Sequence, residues 1–141
     1  YNICSLTVNE THNPKLSQMT IVTSGDEAVL EQIGKQLNKL VDVISVNDLT
    51  GSNFIESEMA LLKIKANNFE LRSKVMQLVD IFKGRIVMVN TEEIGIEIHG
   101  NAEKIDNFIG LLGEFEVLET ARSGRVAISR DIGSTQVEDL D

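Results

Sequence analysis

Residues 59–112, MALLKIKANNFELRSKVMQLVDIFKGRIVMVNTEEIGIEIHGNAEKIDNFIGLL, switch repeatedly between a hydrophobic period of two and one of 3.6, and that switching decides the fold. Met59 to Ala66 alternates, with Leu62, Ile64 and Ala66 inward and Lys63 and Lys65 outward. Phe69 to Lys83 sets Leu71, Val75, Leu78, Val79 and Phe82 at helical spacing, and Gly84 follows where a helix C′ residue belongs. Ile86 to Thr91 is the next strand. Ile94, Ile96 and Ile98 then alternate with Gly95, Glu97 and His99, the cleanest strand signal in the chain. Asn101 caps a helix whose face is Ile105, Phe108, Ile109 and Leu112. An extended segment from Val117 to Arg130, broken at Ser123 and Gly124, closes the series. Residues 58–130 thus read strand, helix, strand, strand, helix, strand, the split βαβ pattern of a ferredoxin-like domain.

Upstream, the same grammar appears in part. Ile3 to Val8 and Met19 to Thr23 form two strands, with Cys4, Leu6 and Val8 on one face of the first. Asn9, Asn13, Pro14 and Ser17 supply the turn between them. Residues 26–42 form an amphipathic helix, started by a Ser24–Glu27 capping box or by Asp26. A short strand is expected at Val43 to Val46, and the polar run Asp48 to Asn53 is the best boundary. Hairpin, helix, strand at 3–46 matches hairpin, helix, strand at 86–130, so the first half has the order of a second such domain without its opening strand and helix. A preceding strand and helix of roughly 25 to 30 residues is the expected complement. The predicted class is α+β, two ferredoxin-like (βαββαβ) domains in tandem, the first incomplete at its start. Their bounds are 1–50 and 54–131, with an acidic tail over 132–141 expected to be disordered.

Composition narrows the function. The chain has 141 residues, 42% apolar, enough for a packed core. A formal charge of −9 with 4% aromatics argues against nucleic acid as a partner. No apolar run approaches the roughly 18 to 20 residues of a membrane helix. The single cysteine, Cys4, supports no internal disulfide framework, which points to a reducing cytoplasm, and it reads as a small core residue. His12 and His99 lie on different elements without other metal ligands around them, and no paired acid and base or nucleophile elbow is present. Arg122, Arg125 and Arg130 are either solvated strand residues or a docking patch for an acidic partner.

Five segments stand in order, namely 1–3 (YNI), 16–21 (LSQMTI), 39–43 (KLVDV), 81–87 (IFKGRIV) and 121–124 (ARSG). Together they resemble the small, regulatory subunit of acetolactate (acetohydroxyacid) synthase, over nearly the whole chain. The resemblance implies an N-terminal ACT domain, a second ferredoxin-like domain and no catalytic residues. It implies activation of a catalytic subunit, and feedback inhibition by valine in the biosynthesis of valine, leucine and isoleucine. Thiamine diphosphate, FAD and magnesium would belong to that catalytic subunit and none to this chain. The effector site would lie between two ACT domains of a homodimer. Asn2 and Ile3 match its strand-entry motif, and Thr7 matches a position of effector response. The family's glycine-containing loop after the first strand has no counterpart here. From the residues alone, Asn2 reads as a turn residue and Thr7 as an ordinary strand residue. Another amino-acid-sensing ACT regulator is the alternative, although no basic helix-turn-helix segment accompanies it.

Overall fold

The computed structural model describes residues 2–50 and 53–131. The acidic tail at 132–141 and the centre of the boundary at 51–52 lie outside the described residues. The described residues form two compact units, a smaller one of residues 2–50, 53–55 and 126–131 and a larger one of residues 56–125. In chain order the elements are β1 (Asn2–Glu10), β2 (Ser17–Ser24), α1 (Glu27–Asn38), β3 (Phe54–Lys65), α2 (Phe69–Ile81), β4 (Arg85–Val89), β5 (Glu93–Gly100), α3 (Ala102–Leu111), β6 (Val117–Arg122) and β7 (Val126–Ser129). The fold is α+β, as its alternating periods require.

In the larger unit the strand order is β4-β5-β3-β6, with every neighbouring pair antiparallel. This is the ferredoxin-like arrangement. The inward residues of β3 and β5 (Leu62, Ile64, Ile94, Ile96 and Ile98) meet Val75 and Val79 of α2 and Ile105 and Phe108 of α3 in one core. Each such side chain contributes about 1.5–3 kcal/mol on full burial. Phe82 and Phe108 meet edge to face, with ring centroids 5.3 Å apart. Both helices start on asparagine caps. Asn68 accepts from the Leu71 amide and Asn101 from the Lys104 amide, each at 2.8 Å.

The end of α2 corrects one expectation. Lys83, not Gly84, occupies the left-handed C′ position, with φ 56°. The Lys83 amide donates to the Asp80 carbonyl and the Gly84 amide to Val79, the paired bonds of a Schellman motif. Gly84 is demanded by packing instead. A Cβ there would lie 2.9 Å from the Glu97 carbonyl oxygen.

The predicted break at Ser123 and Gly124 divides the last segment into β6 and β7, both pairing with β3. The Ser123 amide donates to the Met59 carbonyl, the Met59 amide donates to the Ser123 hydroxyl, and Gly124 takes φ 83°.

In the smaller unit β1 and β2 pair antiparallel. Their turn is held by the Leu16 amide donating to the Asn13 carbonyl, and by the Lys15 amide on the Asn13 side chain. Asp26 is the cap of α1, accepting from the Val29 amide at 2.9 Å, so the Ser24–Glu27 box is not the device used. The helix ends at Asn38, short of Asp42, and none of its residues is fully buried. No strand forms at Val43 to Val46. A strand needs a neighbour for its amides and carbonyls, and among the described residues the sheet of this unit holds only β1 and β2.

Candidate effector site and signature motifs

Strict alternation along β1 would place Ile3, Ser5 and Thr7 on one face and Asn2, Cys4, Leu6 and Val8 on the other. The register shows otherwise. Asn2 pairs with Ser24 and Ile3 with Thr23, then Ser5 pairs with Val22, leaving Cys4 as the extra residue of a β-bulge. Beyond the bulge Leu6 opposes Ile21, Thr7 opposes Thr20 and Val8 opposes Met19. Directly opposed residues share a face. One face therefore collects Ile3, Leu6, Val8, Met19 and Ile21, and the other collects Ser5, Thr7, Thr20 and Val22 with the positions of Asn2 and Ser24. The bulge brings Asn2 and Thr7 to one side and sends Ile3 to the opposite side.

The two faces differ in environment. Ile3, Leu6, Val8 and Met19 are all more than half exposed, whereas Ser5, Thr7, Thr20 and Val22 are half-buried. The Ser5 hydroxyl oxygen is buried without a hydrogen-bond partner among the described residues. Buried hydroxyls ordinarily find a partner, so this one stands out on the face that carries Thr7. Ser5 was not singled out by sequence reasoning. The usable signal was Ile3, an apolar residue out of phase with Leu6 and Val8. The core assignment of Cys4 is corrected by the same feature, because as the bulged residue Cys4 is exposed.

The two C-terminal signature segments prove to be architectural. In IFKGRIV, Lys83 and Gly84 close α2, and Arg85 pairs with Glu97 across the strands at 3.0 Å. In ARSG, Ser123 and Gly124 make the strand break. Arg122 Nε donates to Glu58 at 2.7 Å and its Nη1 to Asp106 at 2.9 Å, while Nη2 also pairs with Glu58. Glu58 is buried, so its charge requires this partner. Burial alone would lower the Arg122 pKa, but the hydrogen bonds to Glu58 and Asp106 outweigh it and the pKa is raised. A raised cationic pKa stabilises the fold at every pH below the ordinary guanidinium value, so this contribution is constant through the neutral range. Arg125 pairs with Glu56, whose other oxygen accepts from the Ala102 amide at the start of α3. Arg122 and Arg125 are thus neither simply solvated nor free for an acidic partner.

His12 and His99 are both exposed, and no group of metal-ligating side chains occurs among the described residues. No helix among them is long and apolar enough to cross a membrane.

Against known proteins, the family profile described as AHAS small subunit-like ACT domain matches residues 1–45, and that described as small subunit of acetolactate synthase matches residues 57–131. The probable acetolactate synthase small subunit of Methanothermobacter thermautotrophicus is 45% identical over 92% of this chain and 77% of its own length. The acetolactate synthase small subunit of Aquifex aeolicus is 40% identical over 98% of this chain and 72% of its own. The crystal structure of the acetolactate synthase small subunit from Thermotoga maritima superposes with a TM-score of 0.80 at 44% identity, covering 92% of this chain and 80% of that one. Two profiles in the expected order, relatives at 40% and 45% identity and a matching solved fold lead to one conclusion: this chain belongs to the family of acetolactate synthase small subunits, which are regulatory and not catalytic.

Proposed function

We propose that the chain activates a catalytic acetolactate synthase subunit and makes it sensitive to valine, within branched-chain amino acid biosynthesis in the cytoplasm. The observation that carries this reading is the family match along both units. The chemistry of acetolactate formation, with thiamine diphosphate, FAD and magnesium, resides in the catalytic partner. The effector site is shared in a homodimer through the hairpin unit. Asn2 offers amide donors and a carbonyl acceptor suited to an α-amino acid's carboxylate and ammonium. Ile3 accompanies it at the strand entry, and Thr7 relays the response from the same strand. The polar side of the hairpin, where the positions of Asn2 and Thr7 coincide near an unsatisfied Ser5 hydroxyl, supports that assignment.

The test is reconstitution with the cognate catalytic subunit, reading acetolactate formation against valine concentration. Stimulation on adding the chain, reversed by valine, is expected; a chain without effect on rate overturns the reading. Asn2→Ala in the same complex should keep stimulation and lose valine affinity by about 10- to 150-fold, since a hydrogen bond to a charged group is worth about 1.5–3 kcal/mol. Unchanged valine sensitivity removes Asn2 from the site. Sedimentation at micromolar concentration should show a dimer.

A further inference from the structure

We propose that the open face of the C-terminal sheet is a self-association surface that receives a second copy of this chain, related by a two-fold axis running along the strands between β5 and β3. The strand register defines this face, turned away from α2 and α3. Leu61, Lys63 and Lys65 of β3 stand on it beside Glu97, Gly95 and Glu93 of β5. On the other side of β3, Ala121 and Glu119 of β6 join the same rows, and Arg85 of β4 stands beside Glu97. Met59 and Leu61 are each 41% exposed, which leaves an apolar centre in water. Over Gly95 the neighbouring Met88 fills the space, since a Cβ there would lie 2.9 Å from the Met88 Cβ.

The charges follow the strand order. Across β4, β5, β3 and β6 they read positive (Arg85), negative (Glu97 and Glu93), positive (Lys63 and Lys65) and negative (Glu119). Neighbours already pair within one copy, Arg85 with Glu97 at 3.0 Å and Lys63 with Glu119 at 3.4 Å. Glu116, just before β6, pairs with Lys65 as well, so the face carries three positive and four negative groups on a chain of net charge −9. Two such chains repel over most of their surfaces, and a face whose charges nearly cancel is where they can touch. Nucleic acid calls for an unpaired basic stripe, which this face does not offer.

The order of signs selects the geometry. It is antisymmetric about the line between β5 and β3. An axis along that line lays β4 over the copy's β6 and β5 over the copy's β3, so every positive strand meets a negative one. An in-plane axis across the strands lays each strand over itself and opposes Lys63 and Lys65 to their own counterparts. The first arrangement is an aligned sheet-on-sheet packing, isologous in the sense that each residue contacts its complement twice. Four strands span only about 20 Å, so the interface falls at the small end of the standard class.

Sedimentation velocity of the full chain over a concentration series tests this. Lys63→Glu with Lys65→Glu, and separately Glu93→Lys with Glu97→Lys, should each weaken one association step at least about tenfold. An equimolar mixture of the two variants should restore it, because the reversed signs then complement each other across the axis. Wild-type association by either variant, or no recovery on mixing, overturns the proposal. Should a double variant lose its cooperative melt, Lys65→Glu mixed with Glu93→Lys gives the same reading with one charge changed per chain. Variants that self-associate normally but no longer bind the catalytic subunit would assign the face to that partner and overturn the proposal as well.

Discussion

Helices α1 and α3 are built alike. They run 12 and 10 residues, both are capped by a side chain accepting from the third amide on, and both carry an apolar stripe. Yet α3 buries Ala102, Ile105 and Phe108, and α1 buries nothing completely. The difference lies beneath them. α3 rests on a sheet four strands wide, whereas the sheet in the unit of α1 has two strands. A helix with side chains is about 10–12 Å across, and two strands about 4.8 Å apart cannot underlie it. An amphipathic pattern thus names the face a helix will bury; only a wide enough platform lets the burial happen. The same contrast explains why Ile94, Ile96 and Ile98 are inaccessible while Ile3, Leu6 and Val8 are not.

Substitutions that treat the two units identically should break or sharpen that contrast. Phe108→Ala removes a fully buried ring from the larger core and should cost about 3–5 kcal/mol, read as a lowered urea midpoint. Leu6→Ala, 53% exposed in the hairpin, should stay within about 0.5 kcal/mol; a large loss there would mean that the hairpin face is covered in solution. Arg122→Ala should cost about 3 kcal/mol, because Glu58 is left buried without its counter-charge. Arg122 is 34% exposed, which places the cost at the low end. A second comparison uses glycine. Gly84→Ala drives a Cβ against the Glu97 carbonyl and should cost about 1–3 kcal/mol by overpacking. Gly34→Ala in α1 meets nothing within 4 Å and should stabilise the helix by about 0.5–1 kcal/mol, seen as slower amide exchange over residues 30–38. The smallest effect is Lys83→Gly, a gain of up to about 1 kcal/mol from relieving a left-handed lysine, partly offset by a freer unfolded chain.

The larger unit was legible because each of its elements repeats one period long enough to be unambiguous. Ile94 to Ile98 could only be a strand, and Asn101 before Ile105 and Phe108 could only open a helix. What failed did so for stated reasons. Val43 to Val46 has strand-forming side chains, but a strand is a relation between two segments, and no described segment pairs with this one. The Lys83 and Gly84 exchange turns on one hydrogen bond, from Gly84 to Val79, which no residue type announces. The bulge at Cys4 mattered most for the site. It reversed which face Asn2 and Ile3 occupy, and its one trace in the sequence was an isoleucine out of phase with its neighbours. The ARSG segment was recognisable as a signature without revealing its job, since the carboxylates that hold Arg122 lie 64 and 16 residues away along the chain.

The ion pair between Glu56 and Arg125 has a consequence for biosynthesis. These are the first and last residues of the larger unit, and the pair holds its two ends side by side. A segment with adjoining ends behaves as an insertion, complete once Arg125 has left the ribosome. The smaller unit, made of residues on both flanks, must wait for the chain beyond it. The core around Phe108 should therefore be in place before the hairpin finds its final setting, so that a stalled chain of about 125 residues plus the exit tunnel already protects one half from proteolysis and not the other. Adjoining ends also make this unit a natural subject for circular permutation, a rearrangement that such geometry tolerates.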